Sequence, residues 1–331
     1  MGILVTGAAG FIGSHLVESL LGEGYQVTGI DNLSVGSLRN LSNVIENKKF
    51  KFVQIDIRDK FSMNSLEDEF EAVLHLAALA DIVPSMERPQ EYFECNVDGT
   101  FNVMQFAKEK GVSKVIYIAS SSCYGIPDTF PTDENAEIRP QYPYALTKFL
   151  GECIAMHWSQ IYRIPTVSLR LFNVYGPRAR TSGTYGAVFG VFLAQKIAGK
   201  PFTVVGDGTQ TRDFTYVSDV VSAIIAAFKS KSSGIYNVGS GHTYQVNQLV
   251  KLLGGEVVYV PKRPGEPDCT FADTTKITRE LGWSPNVNLE AGVESMLSNL
   301  EYWVDAPVWN PESIALATKD WFKYLGDLNG K

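Results

Sequence analysis

Cysteine is scarce in this chain, and its distribution excludes two classes at once. Cys95, Cys123, Cys153 and Cys269 are the four cysteines in 331 residues. Their wide spacing fits neither a zinc site nor the disulfide framework of a small secreted domain. Reduced thiols in a cytoplasmic protein are expected, and no metal is. Basic charge is also in deficit: 29 Lys and Arg face 36 Asp and Glu, for a net charge of −7. With no Lys/Arg block either, a nucleic-acid partner is not expected. Long apolar runs are missing. The first apolar stretch, Ile3-Leu4-Val5, is too short to span a membrane or to serve as a signal. Repeats, low-complexity segments and long linkers are absent too. What remains, 45% hydrophobic and 20% charged, is an ordinary globular composition, long enough for two lobes or one large α/β domain.

The stretch Gln141-Tyr-Pro-Tyr-Ala-Leu-Thr-Lys148 carries the clearest chemistry. Tyr144 and Lys148 stand four residues apart, so on a helix both project from one face, one turn apart. An ammonium beside a phenol favours phenolate and pulls its pKa down from about 10. A tyrosine tuned this way exchanges a proton with a sugar hydroxyl near neutral pH. The same spacing occurs in plain exposed helix pairs, so its meaning rests on the residues upstream.

Upstream, a buried-strand run, Ile3 to Val5, leads into Thr6-Gly7-Ala-Ala-Gly10-Phe11-Ile12-Gly13. Helical spacing follows through Ile12, Leu16, Val17 and Leu20. Gly7 permits the tight turn, Gly10 lets a pyrophosphate approach, and Gly13 lets the helix pack close to the strand. The helix start offers N–H groups to phosphate. A second strand, Val27 to Ile30, ends at Asp31, placed either to accept an adenosine ribose diol or to start the Asn32–Ser34 turn. An acid there also repels a 2′-phosphate, favouring NAD over NADP. Lys51–Ile55 alternates as a third strand and precedes Asp56-Ile57, where an adenine edge could be read. Ala72–Leu76 is a fourth strand, followed by Ala77 and Ala78, small enough for a dinucleotide to approach. His75 within it reads as a packed core residue. A helix is expected over Tyr92–Lys110, with Asn96 on it bracing the site. Lys114–Ala119 is a fifth strand, ending in Ser120. Alternating strands and helices argue for a parallel sheet covered on both faces. Ligands bind such sheets at the carboxyl ends of strands, where Gly7, Asp31, Asp56, Ala77, Ser120 and Asn173 fall.

Taken together, these segments resemble the extended short-chain dehydrogenase/reductases, and within them the nucleotide-sugar epimerase/dehydratase branch. The matching pieces are Thr6–Leu16, Asp31-Asn-Leu33, His75-Leu-Ala-Ala78, Ser120-Ser-Ser-Cys-Tyr-Gly125, Tyr144-Ala-Leu-Thr-Lys148, Arg170–Pro177 and Gly206–Phe214, in the family order. The resemblance implies an α/β fold, a Rossmann-like doubly wound parallel sheet with a smaller, interleaved C-terminal lobe. It implies an NAD-binding domain over 1–175, rejoined by 217–238, and a nucleotide-sugar lobe over 176–331. NAD is the implied cofactor, held by the glycine corner with Phe11 and Ile12, by Asp31, Asn32, Asp56 and Ile57, by Leu76, Ala77 and Ala78, and by Asn96. Tyr144 is implied as general base and acid, Lys148 as the group that holds the nicotinamide ribose and lowers the tyrosine pKa, and Ser120 as the partner of the reacting hydroxyl. The oxidised nicotinamide, a cation, favours phenolate further. A homodimer through the helices over 92–110 and 142–163 is the implied assembly.

Two reactions remain open within the branch. Dehydratases that make 4-keto-6-deoxy sugars commonly carry Asp-Glu right after the catalytic hydroxyl residue, and here Ser121 and Ser122 stand in those places. The run Ala119–Gly125 instead resembles UDP-N-acetylhexosamine 4-epimerases, as does Thr181–Val188. Cys123 is either a buried filler or a thiol poised for an elimination, which would revive a 4,6- or 5,6-dehydratase. For substrate, the resemblance implies Ser85, Asn173, Val188 and Thr203, the last in a segment whose backbone reads the uracil. Arg212 and Arg263 suit either a diphosphate or a surface ion pair, and the resemblance favours the diphosphate; Glu266 suits ribose hydroxyls. After Leu289–Trp303, also helical in spacing, a terminal helix is expected, with Ile314, Ala317, Trp321 and Leu325 on one face, covering the second lobe or a subunit contact.

Overall fold

The computed structural model describes residues 2–179 and 187–326. Six strands build the sheet in chain order: β1 (Gly2–Thr6), β2 (Val27–Asp31), β3 (Phe50–Gln54), β4 (Phe70–His75), β5 (Lys114–Ser120) and β6 (Thr166–Leu171). After β7 (Val174–Tyr175), β8 (Phe202–Val205), β9 (Thr211–Arg212) and β10 (Thr215–Tyr216), the chain returns β11 (Gly234–Val238) to the sheet edge. The spatial order is β3-β2-β1-β4-β5-β6-β11, with every pairing parallel. The order reverses between β1 and β4, which opens a crevice at their carboxyl ends.

The strands are apolar on both sides because helices cover both faces. Side chains alternate along β1, so Ile3 and Val5 face one layer and Leu4 the other. On the first face Leu16 and Leu20 of α1 (Phe11–Gly22) pack against the sheet beside Val220 and Ile224. On the second, α2 (Lys60–Asn64) contributes Met63. The chain then runs through α3 (Ile82–Glu87), α4 (Pro89–Phe93) and α5 (Gly99–Glu109), whose Val103 and Phe106 are buried. Next comes the long α6 (Pro143–Tyr162), which buries Ala155.

The second lobe has its own core. It gathers Phe189 and Phe192 of α7 (Val188–Ile197), Phe202 of β8, and, beyond α8 (Val217–Lys229) and β12 (Tyr244–Gln245), Leu249 of α9 (Val246–Leu253). β13 (Val257–Val260) pairs with β8, and α10 (Thr275–Leu281) leads to α11 (Leu289–Leu297), which adds Val293 and Met296.

Three expectations shift. The helix over 92–110 is not continuous: a π-helical turn, Glu94–Asp98, separates α4 from α5. It places the Asn96 side chain against Leu79, donating to its carbonyl and accepting from its N–H. Regular helix yields there to a buried amide that needs partners. Likewise α11 stops at Leu297, and a 3₁₀ turn covers Leu300–Trp303. The terminal helix is two helices, α12 (Pro311–Ala317) and α13 (Lys319–Leu325). Ile314 enters the second-lobe core, whereas Trp321 and Leu325 pack with Val83 of α3. The tail thus touches both lobes.

His75 lies in the core and ties β1 to α5. Thr100 donates its hydroxyl proton to the Asn96 carbonyl, so its oxygen accepts from His75 Nε2 at 3.0 Å, and Nδ1 accepts from Thr6 Oγ1 at 2.7 Å. Burial, helped by the Lys148 charge, pushes the imidazole down to about 3. Between pH 3 and 6.5 the unfolded chain therefore binds a proton that the folded chain refuses. Stability rises with pH across that window, by roughly 1.4 kcal/mol per unit from this group. Urea melts of His75→Asn should show a pH slope smaller by that amount; an unchanged slope would contradict the assignment.

Candidate active site

The glycine corner between β1 and α1 is built by close contact. Gly7 has φ +70°, and a Cβ there would lie 2.8 Å from the Ala77 nitrogen. At Gly13 a Cβ would meet the Gly7 carbonyl oxygen at 2.0 Å. Gly10 is the N-cap of α1 and supplies no side-chain cap. The first-turn N–H groups, those of Phe11, Ile12 and Gly13, are left for an anion, which suits the pyrophosphate of a dinucleotide.

At the end of β2, buried Asp31 accepts from Ala9 N at 3.1 Å and Leu33 N at 2.8 Å. Burial raises its pKa against those two bonds. Asn32 donates to Asp56, and the Arg58 guanidinium, with help from Asn32, holds the Asp56 carboxyl down to about 2. Ile57 is buried, with Gly99 beside it so close that a Cβ would lie 2.6 Å away. At the end of β4 the Leu76 and Ala77 N–H groups donate to Thr6 Oγ1, and Ala78 is half-buried. The structure thus brings the residues expected to hold a dinucleotide to one rim, and a dinucleotide fits their chemistry.

α6 starts at Pro143, so Tyr144 and Lys148 lie on its first two turns. Ser120, the last residue of β5, N-caps a short 3₁₀ turn and shares a 2.8 Å bond with the Ser122 hydroxyl. Both hydroxyls act on the Tyr144 phenol. The phenol is half-buried, however, and burial raises its pKa while Ser120 and Ser122 only partly oppose this. The expected depression by Lys148 is therefore corrected: burial raises the phenol instead. The Lys148 ammonium lies instead 4.5 Å from the Tyr117 ring centroid. For Cys123 the structure favours the filler of its two readings. It packs with Tyr124, Phe172 and Ala272, and burial pushes its thiol up to about 12. A thiol held there stays protonated at neutral pH and is a poor base.

The substrate-side residues divide. Arg212 and Arg263 both reach Glu266, at 2.9 and 3.1 Å. Burial acts to raise that carboxyl, but the charges of Arg263 and Arg212 hold it below its usual value. Arg212 and Glu266 also line a cavity of about 350 Å³ with Val205, Asp207 and Lys262. Thr203 does not present its N–H: Gln195 takes it at 3.1 Å and donates to the Thr203 hydroxyl at 2.9 Å. Ser85 is buried and donates to the Ile82 carbonyl. Asn173, at φ 22°, accepts from Thr270. Val188 opens α7, while most of the segment expected near the sugar, 181–186, lies outside the described residues. Sequence reasoning passed over Tyr142, whose ring lies parallel to that of Tyr144 at 6.4 Å, although it stands in the same octapeptide. It also passed over Gln195, whose buried amide nothing in the local pattern marks.

A family model described as GDP-mannose 4,6 dehydratase matches residues 4–296. The chain belongs to the nucleotide-sugar epimerase/dehydratase branch of the extended short-chain dehydrogenase/reductases. A UDP-glucose 4-epimerase of Mycolicibacterium smegmatis is 37% identical over 303 residues, covering 88% of this chain and 96% of the relative. Among solved structures, a UDP-glucuronic acid 4-epimerase of Bacillus cereus, in complex with UDP-glucuronic acid and NAD, has TM-score 0.84 at 33% identity, covering 91% of this chain and 99% of its own. A UDP-N-acetylglucosamine 4-epimerase of Methanobrevibacter ruminantium, in complex with UDP-N-acetylmuramic acid, has TM-score 0.83 at 32% identity, covering 90% and 98%.

For this epimerase/dehydratase relative, the buried lysine has a thermodynamic signature. Burial pushes Lys148 down to about 8, against weaker support from Cys95 and Glu152. Between pH 8 and 10.5 the unfolded chain holds a proton that the folded chain releases, so ligand-free stability rises with pH there. Below pH 8 the buried charge opposes folding by roughly 3 kcal/mol, at 1.36 kcal/mol per unit. Ligand-free Lys148→Met should melt several degrees higher than wild type at pH 7 and lose activity. A lower melting temperature would refute the burial argument.

Proposed function

We propose that this enzyme catalyses NAD-dependent epimerisation at C4 of a UDP-hexose, a UDP-N-acetylhexosamine, through a transient 4-keto sugar. The observation that carries this reading is the set of groups around Tyr144. Ser120 ends β5 with its hydroxyl bonded to that of Ser122, and the two positions after Ser120 carry serines and no carboxylate. A dehydratase needs a base for the C5 proton and an acid for the departing O6. Ser121 and Ser122 are neutral hydroxyls, and Cys123 is held as a buried thiol.

The glycine corner, Asp31, Asn32, Asp56, Ile57 and Lys148 are the residues that would hold NAD. When bound, NAD supplies a hydride acceptor and donor for C4 and a positive charge that favours the Tyr144 phenolate. Tyr144 takes the O4 proton and later returns it. Ser120, with Ser122 behind it, orients O4. Asn96 braces the helix start, donating from its amide to Thr147 as well as to Leu79. Arg212 and Arg263 anchor the diphosphate while the 4-keto sugar turns over, and Glu266 is placed for the ribose. Val188, Asn173 and Ser85 lie on the elements that would enclose the sugar. The UDP-sugar complexes of relatives support the choice of nucleotide.

The domain division we propose is an NAD-binding unit over 1–175 with 217–238, and a substrate lobe over most of 176–331. It is supported by the separate apolar cores and by the place of β11. The cytoplasm is the proposed compartment, supported by four unpaired thiols. Among the described residues no helix is long and apolar enough to cross a membrane. A homodimer through α5 and α6 is supported by Phe101, Leu146, Ile161 and Tyr162, large apolar side chains left exposed there.

Incubation with UDP-N-acetylglucosamine in deuterated water, followed by proton NMR, tests the reaction. The expected product is the C4 epimer without solvent deuterium. A new methyl or alkene signal would mean elimination instead. Cys123→Ser should keep most of the wild-type rate and Tyr144→Phe should lose at least about 100-fold, within the range for a proton-transfer group. A light-scattering mass for the double variant Phe101→Asp, Ile161→Asp should be that of a monomer, where the wild type gives a dimer; a wild-type monomer would dismiss the assembly.

A further inference from the structure

We infer that Trp321, on a helix beyond the residues matched by the family model, positions Arg263 and its loop for the diphosphate; this rests on the nucleotide-sugar reading above. The indole joins parts of the molecule far apart in sequence. Its Nε1 donates to the Pro264 carbonyl at 2.7 Å. The Arg263 guanidinium lies 5.2 Å from its ring centroid. Tyr142 lies 6.1 Å away on centroids, and the Tyr142 ring is in turn parallel to that of Tyr144.

The loop Arg263–Glu266 lies in no helix or strand, and Gly265 in it has φ +71°. Pro264-Gly265 makes a turn there, and contacts from the terminal helix hold it further. The Trp321 hydrogen bond supplies the anchor, and Leu325 lies beside Gly265, where an added Cβ would meet it at 3.5 Å. Arg263 itself faces two competing demands. Glu266 attracts it at 3.1 Å, and a planar guanidinium grips a diphosphate well only when its plane is aimed. The indole, 5.2 Å from the guanidinium, holds it at the loop before a ligand arrives.

The tail is built to hold the indole there. Asn310 and Ser313 form a capping box at the start of α12, and Ile314 is sunk in the second-lobe core. Thr318 then breaks the helix, its hydroxyl donating to the Ile314 carbonyl, and α13 turns towards α3. Trp321 is 2% exposed as a result, wedged between the lobes at the diphosphate end.

Calorimetric titration of the full-length protein with UDP and with UMP tests this. Wild type is expected to prefer UDP. Trp321→Ala should lose roughly 10-fold for UDP and about 2-fold or less for UMP, as fits one cation–π contact and one hydrogen bond. Trp321→Phe keeps a ring beside Arg263 but lacks the donor, so it should fall between, and it decides the matter if the alanine variant does not fold. Unchanged affinities, or equal losses for UDP and UMP, would overturn the inference while leaving the function reading intact. A wild-type protein that binds neither nucleotide would overturn that reading, and the inference with it.

Discussion

One hydroxyl, that of Thr6, joins the carboxyl ends of β1 and β4 where the sheet order reverses. It bonds His75 at 2.7 Å and accepts from the N–H groups of Leu76 and Ala77. The chain of bonds continues from His75 to Thr100, from Thr100 to the Asn96 carbonyl, from the Asn96 amide to Thr147, and from Thr147 to the Tyr144 carbonyl. The phosphate corner and the start of α6 are therefore tied by one buried polar path. Every donor and acceptor on it has a partner, which is what makes such a path rigid rather than destabilising.

Among the described residues, the buried charges of the site follow the same rule of partnership, and Lys148 departs from it. Arg170 and Glu152 are both buried and meet at 2.6 Å, with Ser168 and Tyr124 taking the remaining positions. Glu266 is shared by two arginines. Lys148 alone among these faces a ring and not a carboxylate. A buried ammonium without an ion pair lowers its pKa and opposes folding.

The two lobes differ in how they hold their contents. The sheet lobe places its groups at strand ends, where the parallel ladder and both helix layers fix the backbone. The second lobe uses loops, and its groups depend on borrowed anchors such as the Gln195 amide on β8 and the indole on the Arg263 loop. The terminal helices belong to both lobes, since Ile314 is buried in one and Trp321 against the other.

Much of the sheet lobe was legible in the chain, because its signals are local. Glycines on a strand–turn–helix corner, an acid closing β2, and Tyr144 one turn before Lys148 each carry their geometry in a few residues. Boundaries moved by one or two positions, as at β3, which begins at Phe50. The electrostatics were not legible. Spacing alone placed a cation beside a phenol, but burial decides the sign of the Tyr144 shift, and burial comes from elements remote in sequence. The same holds for Cys123, where Phe172 and Ala272 make the pocket that keeps it a thiol. The chain by itself determined the order of elements and the chemistry at their ends, because both follow from residue type and period. Only the tertiary structure decided which of those groups are desolvated, which are paired, and what the last two helices touch, because each depends on neighbours brought from elsewhere in the chain.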